Sequence, residues 1–190
     1  DMSFVTEYAP EAVLYLWQGG MLGGVGAAQV LTGEVSPSGK LPDTIAYCLE
    51  DYPSHPYFGS RERNFYAEDI YVGYRYFATF AKEKVRYPFG FGLSYTSFEI
   101  AGEKTAEAKD SVTLTISVTN TGEAAGKEVV QVYCEAPQGV LGKPARVLCG
   151  YEKTKELKPC ETERLTITVP FADVASFDDM GKTGKKSCFV

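Results

Sequence analysis

Strict alternation is the clearest pattern in this chain. Val112, Leu114, Ile116 and Val118 alternate with Thr113, Thr115, Ser117 and Thr119, the period-two signature of a strand with one buried face. Residues 128–135 repeat it with Val130, Val132 and Cys134 on one side, and so do residues 146–151. In residues 163–169 the inward set is Leu165, Ile167 and Val169. Asn120-Thr121-Gly122 and Pro159 supply turns between these runs. Several short strands separated by turn signals predict an antiparallel β-sandwich from about residue 96 onward. Val112, Leu114, Ile116, Val118, Val130, Val132, Leu165, Ile167 and Val169 should be mostly buried, because a one-residue slip would expose the whole apolar set.

The first half reads differently. Residues 11–17 are a short apolar run bounded by Pro10 and Gly19-Gly20, and length and flanks predict a buried strand. Gly23-Gly24-Val25-Gly26 precedes Ala27-Ala28-Gln29-Val30-Leu31, a helix-forming stretch for which Gly33 is a plausible stop. Pro37-Ser38-Gly39 has turn chemistry, and Leu41 to Cys48 can enter another strand. Strand, glycine loop, helix, turn and strand make one α/β unit. One such unit cannot cover both faces of a sheet, so the remainder of that sheet is expected in sequence beyond these residues. Residues 50–95 carry Pro53, Pro56, Pro88 and many rings without a sustained period. They are too aromatic for a flexible linker and read as a connector packed over neighbouring domains.

Composition narrows the partners. The net charge of −6 argues against nucleic acid or an anionic membrane, since both need a basic face. No apolar run reaches the length of a membrane span. Cys48, Cys134, Cys149, Cys160 and Cys188 include no Cys-x-x-Cys pair, and His55 is the only histidine, so a zinc site is not expected. An odd, irregularly spaced set also argues against a disulfide framework and favours a reducing, cytoplasmic compartment. Asp1 stands where no leader precedes it, and the chain stops on the apolar run Ser187-Cys188-Phe189-Val190. Both ends predict a piece of a larger protein.

Three blocks carry a resemblance. Pro37-Ser38-Gly39-Lys40-Leu41-Pro42 is followed by Glu68-Asp69-Ile70-Tyr71-Val72-Gly73-Tyr74-Arg75-Tyr76-Phe77. The third is the ring-dense Tyr87-Pro88-Phe89-Gly90-Phe91-Gly92-Leu93-Ser94-Tyr95. In this order and spacing they resemble the C-terminal region of glycoside hydrolase family 3 enzymes, chiefly β-glucosidases. The resemblance implies a fibronectin type III-like sandwich where the alternation already places one. It also marks a departure: the turn at Leu157-Lys158-Pro159-Cys160-Glu161 usually has glycine after the proline in relatives. If that position needs positive φ, Cys160 carries roughly 1 kcal/mol of strain; a type I turn would tolerate it instead.

The chemistry the resemblance implies is not carried by these residues. Retaining glycoside hydrolysis uses two carboxyl groups about 5 Å apart. The family's nucleophile is an Asp in a Ser-Asp-Trp-type motif on a (β/α)8-like barrel, and its usual acid/base is a Glu in the α/β sandwich domain, well before the Pro-Ser-Gly-Lys-Leu-Pro block. Here there is no Ser-Asp-Trp, Trp17 is the only tryptophan, and nothing in residues 1–36 matches the acid/base motif. Glu68-Asp69 is the tempting substitute, but adjacent residues of an extended segment face opposite ways. Pairing with Arg75 or loop amides is the expected role. Glu50-Asp51 and Asp178-Asp179 have the same adjacency and read as solvated turns. Gly24-Val25-Gly26-Ala27-Ala28-Gln29 imitates a dinucleotide fingerprint, yet Gln29 replaces its third glycine. Close packing of a helix on its sheet explains these glycines better. Lys40 lacks the Walker spacing, since Leu41 follows it. His55 has no neighbouring nucleophile motif and reads as loop polarity.

The sequence therefore predicts a mainly β protein: the C-terminal piece of an α/β sandwich domain (residues 1–50), an aromatic connector (51–95), and a fibronectin type III-like antiparallel sandwich (96–190), truncated at its C-terminus. By resemblance, the parent is a retaining β-glucosidase acting on terminal non-reducing β-D-glucosyl residues. β-Glucosides or short oligosaccharides would meet it through a catalytic domain outside this chain, and these residues would pack against that barrel. A homo-oligomer is compatible with this reading. No catalytic, cofactor-binding or metal-binding residue is predicted here. The alternative is a non-catalytic carbohydrate-binding or protein-interaction module, against which the half-built α/β unit argues.

Overall fold

The computed structural model describes residues 2–190. Its first half is loop punctuated by short elements: α1 (Phe4–Tyr8), α2 (Gly23–Leu31), β1 (Ile45–Ala46), α3 (Tyr74–Phe80) and β2 (Val85–Tyr87). Residues 11–17 form no strand and lie exposed, with Leu16 and Trp17 more than half open to solvent. The reason is pairing. Among the described residues no neighbouring strand takes up their amides and carbonyls, and β preference alone does not hold a strand. Helix α2 starts earlier than the helix-forming stretch suggests, absorbing the glycines, and ends before Gly33, which adopts φ +77°. It buries no residue, and Cβ atoms on Gly23, Gly24 and Gly26 would meet open space. Close packing on a sheet within this chain is therefore not what these glycines serve. The strand expected over residues 41–48 shrinks to β1, paired antiparallel with β2.

The aromatic connector holds a helix that the sequence does not announce. Helix α3 follows Gly73, at φ +60°, and buries Phe77 and Ala78. Its four rings favour strand by propensity, so the helix depends on tertiary packing. Phe77, Ala46 and Ala81 form a small buried cluster, with Tyr52, Tyr76 and Val85 against it.

The second half is the sandwich that alternation predicts. Strands β3 (Phe98–Glu107), β4 (Ser111–Asn120), β5 (Val129–Cys134), β6 (Val147–Lys153) and β7 (Thr162–Pro170) form two antiparallel sheets, ordered β3-β4-β7 and β5-β6. Leu114 faces Ile167, Ile116 faces Leu165 and Val112 faces Val169 across the β4–β7 ladder, so both inward sets coincide. Ile116, Val118, Val130, Leu157, Leu165, Ile167 and Val169 are the buried core; Val112, Leu114 and Val132 are partly buried and pack against it. On the outer face, Thr113 and Thr168 pair at 3.0 Å and Thr119 and Thr162 at 2.8 Å. Strand β3 is missing from the sequence reading. It is an edge strand, exposed beyond Phe98 and carrying Glu99, Glu103, Lys104 and Glu107, charges that blunt an edge but erase the apolar alternation.

Two polar anchors secure the loops. Buried Asn120 donates to the carbonyls of Ala124 and Leu157 and accepts from Thr96 Oγ1 and Gly122 N, which satisfies its whole amide. After β7 come α4 (Phe171–Val174) and the paired strands β8 (Phe177–Asp178) and β9 (Cys188–Phe189). Asp178 is not the solvated turn residue its sequence context suggests. It is fully buried, and accepts from Thr183 Oγ1 and from the amides of Gly181, Lys182 and Thr183. Chiefly the Thr183 hydroxyl, with those amides, holds its pKa down at about 2.

One outcome follows from the Asp178 anchor and one from a turn. Because the folded pKa of Asp178 is depressed, its stabilisation is complete above the ordinary aspartate range and is lost as pH falls from about 4 through about 2. Exchange protection of the Gly181 and Thr183 amides, relative to their intrinsic rates at each pH, should fall in that window, and Asp178→Ala should produce the same loss of protection at neutral pH. The second concerns Cys160, which adopts φ +63°, the glycine-favouring geometry. Cys160→Gly should raise stability by about 1 kcal/mol in urea titration; an unchanged midpoint would show that the turn carries no strain.

Candidate functional site

The three blocks singled out in the sequence converge on one seam between the halves. Leu41 N donates to Phe91 O and Gly90 N donates to Leu41 O, both at 2.8 Å, which locks the Pro37–Pro42 turn against the Tyr87–Tyr95 loop. Gly92 makes this approach feasible: a Cβ there would collide with the carbonyl oxygen of Gly39. Lys40 Nζ donates to Gly92 O at 3.0 Å and pairs with Glu128 Oε1 at 2.7 Å. Ser36 Oγ sits 2.8 Å from Ser94 Oγ and accepts from Tyr95 N, while the Tyr95 hydroxyl donates to Val30 O. Gln131 reaches across from β5 to Gly90 O at 3.2 Å.

The middle block grips the sandwich through α3 and the turn before it. The Tyr71 hydroxyl donates to Gly142 O at 2.6 Å, Thr79 Oγ1 accepts from Ala145 N at 2.9 Å, and the Tyr74 hydroxyl accepts from Leu148 N at 2.8 Å. The Tyr74 ring stacks on Phe89 and meets Tyr133 edge-on. Between α3 and the sandwich lies a cleft of about 270 Å³, lined in part by Tyr74, Phe77, Phe89, Lys82, Glu135 and Arg146. The Arg146 guanidinium lies over the Tyr133 ring, 5.1 Å from its centre. Tyr74 thus joins the halves directly, through its hydroxyl and its edge-on contact with Tyr133.

The candidate carboxylates do not assemble into a catalytic pair. Glu68 and Asp69 lie in a turn rather than an extended segment, with Asp69 at φ +50°. Among the described residues no ion pair joins either to Arg75, whose guanidinium instead lies over Tyr74. Asp51 accepts from the Cys48 thiol and pairs with Lys84 at 3.1 Å, so it too is more than a solvated turn. Among the described residues three carboxyl groups have displaced pKa values, and all move down. Asp51 is lowered by Cys48 and then Lys84, Glu161 by the Lys158 amide and then Lys155, and Asp178 by Thr183. A general acid in glycoside hydrolysis needs the opposite shift. His55 opens a short 3₁₀ turn. The five cysteines are free thiols. Among the described residues no cluster of three His, Cys, Asp or Glu side chains offers a metal site, and no helix is long and apolar enough to cross a membrane.

Residues 1–95 match the model of the glycosyl hydrolase family 3 C-terminal domain. The chain belongs to glycosyl hydrolase family 3. Residues 128–185 match a fibronectin type III-like domain. A β-glucosidase of Ruminococcus albus is 61% identical across the whole chain, which spans 20% of that relative. β-Glucosidase A of Butyrivibrio fibrisolvens is 50% identical over 92% of the chain and 23% of its own length. The crystal structure of a β-glucosidase from Paenibacillus barengoltzii superposes on all of the chain with a TM-score of 0.94 at 54% identity, using 21% of that structure. The family 3 chain thus spans about a fifth of the length of the relatives it matches.

Glu128, Gln131 and Thr79 complete the seam, and the sequence reading did not find them. Each is an ordinary polar residue in its local context, and only its partner, 41 to 88 positions away, reveals its role. The backbone approach gives a direct test. Gly92→Ala should destabilise the protein by about 1–3 kcal/mol through overpacking. Gly24→Ala, whose Cβ would meet nothing, should be neutral or stabilising by about 0.5–1 kcal/mol. Thermal unfolding of the two variants distinguishes them; equal midpoints would show that the turn and loop yield freely.

Proposed function

We propose that the chain is the C-terminal part of a retaining β-glucosidase that releases terminal non-reducing β-D-glucosyl residues, and that it serves the enzyme structurally. The nucleophile and the acid/base lie outside these residues. Residues 1–50 end the α/β sandwich domain that delivers the acid/base, residues 51–95 connect, and residues 96–190 form the sandwich that braces both. The assembled piece packs against a (β/α)8-like barrel.

One observation supports this most. The segment from Val13 to Leu31 exposes Val13, Leu14, Tyr15, Leu16, Trp17, Met21, Leu22, Val25 and Leu31, in a chain that matches a fifth of β-glucosidases. An exposed apolar surface of this extent marks a contact face, and an independent module would bury it. The carboxylates add support, since those with shifted pKa values are held ionised.

The experiment compares the 190-residue chain with its full-length parent on an aryl β-glucoside. The parent should turn over and the chain alone should not exceed background. The chain alone should also self-associate or exchange readily over residues 1–95, with protection concentrated after residue 96. A monomeric, uniformly protected chain that cleaves the glucoside would refute the reading.

A further inference from the structure

The two halves do not share a core. One cluster is built on Ala46, Phe77 and Ala81, the other on Ile116, Val118, Val130, Leu157, Leu165, Ile167 and Val169. Near the Pro37–Pro42 turn the contacts that bridge them are polar. Of the four ion pairs among the described residues, Lys40–Glu128 alone crosses the seam; the others stay within one half. It is also well shielded, with side-chain exposures of 17% and 14%.

Glu128 stands on a rigid base. Its amide donates to Thr154 Oγ1 at 3.0 Å, its carbonyl accepts from Thr154 N at 2.9 Å, and its carboxylate also accepts from Val129 N at 2.6 Å. Lys153, opposite Val129 on the β5–β6 ladder, donates to Ser38 O at 3.3 Å. Lysines thus approach this corner from both sides. Burial first, then Lys127 and Lys40, disfavour the Lys153 ammonium, and Glu128 offsets them.

The position of this corner matters. Val129 pairs with Lys153 at one end of the β5–β6 hairpin and Cys134 with Val147 at the other. The Lys40 contact grips the first end. The tyrosine and threonine tethers from the middle block grip the second, at Gly142, Ala145 and Leu148. At 3.3 Å per residue the two grips stand roughly 20 Å apart.

We propose that Glu128 is the latch of the seam: one carboxylate, fixed in the sandwich by the Val129 amide, that holds Lys40 of the first half. Neutralising it leaves the shielded Lys40 without its counter-charge and lets the Pro37–Pro42 turn lift off both the sandwich and the Tyr87–Tyr95 loop that Lys40 and Leu41 also bond, while each half keeps its core. The latch is a property of this seam and does not depend on the proposed activity.

The test is site-resolved hydrogen exchange on the full-length protein, comparing wild type with Glu128→Gln, Lys40→Met and the double variant. Glu128→Gln should speed exchange of the Leu41 and Gly90 amides by about tenfold or more while leaving Ile116 and Ile167 unchanged. The double variant should exchange more slowly at Leu41 and Gly90 than Glu128→Gln alone, because it removes the uncompensated lysine as well. The latch is overturned if Glu128→Gln leaves Leu41 and Gly90 at wild-type rates. It is equally overturned if the double variant opens as fast as the single, or if acceleration spreads evenly to Ile116 and Ile167.

Discussion

Leu41 exchanges backbone hydrogen bonds with the Tyr87–Tyr95 loop at a separation that leaves no room for a side chain on Gly92. Much of the remaining arrangement serves to keep that approach closed. Backbone groups at such a junction lose water and must find partners, and here they find each other only if two stretches some fifty residues apart hold one register. Pro37, Pro42 and Pro88 restrict the flanking backbone. Lys40 caps the carbonyl of Gly92, and Gln131 caps that of Gly90 from the sandwich. Glycine spacing, proline placement and the lone lysine are one solution to one geometric demand.

The sandwich was legible because burial on one face writes itself into alternation. Where that condition fails, the signal fails with it. Strand β3 is exposed along nearly its whole length, so nothing selects apolar residues at every second position. Residues 11–17 show the converse: the apolar composition of a buried strand, without a neighbour to bury it among these residues. Composition records the environment a segment is suited to, and this segment is suited to one that the described residues do not supply. Helix α3 departs for a third reason. Its rings prefer strand by propensity, yet a seven-residue helix lets Tyr74, Phe77 and Thr79 reach the sandwich, its own small core and the Ala145 amide at once.

The seam was half legible. Its first-half residues stand out as motifs because glycine, proline and aromatic residues are unusual in dense runs. The sandwich contributes Glu128, Gln131 and backbone groups of the loop between β5 and β6, which look ordinary in sequence. Asp178 teaches the same lesson at the other end of the chain. A paired Asp178-Asp179 reads as solvent-facing, but one member is fully buried and takes four hydrogen bonds from its own loop. Whether a carboxylate is surface polarity or an anchor depends on the donors the loop aims at it, and the sequence carries no simple record of that.

The chemistry of the seam suits a brace better than an apolar interface would. Apolar docking is non-directional, so two faces joined that way can slide or rotate at small cost. Hydrogen bonds and a shielded ion pair lose most of their value when displaced, because each leaves a buried group without its partner. Gripping both ends of the β5–β6 hairpin with such contacts therefore fixes orientation as well as proximity. The division of labour follows from this. Each half has its own core, small in the first and larger in the second, a directional seam sets the angle between them, and the apolar surface left over, from Val13 to Leu31, is free to be the face that a larger assembly covers. On the proposed reading, in which both catalytic carboxyl groups lie outside these residues, a part that transmits orientation can matter to catalysis without touching the substrate.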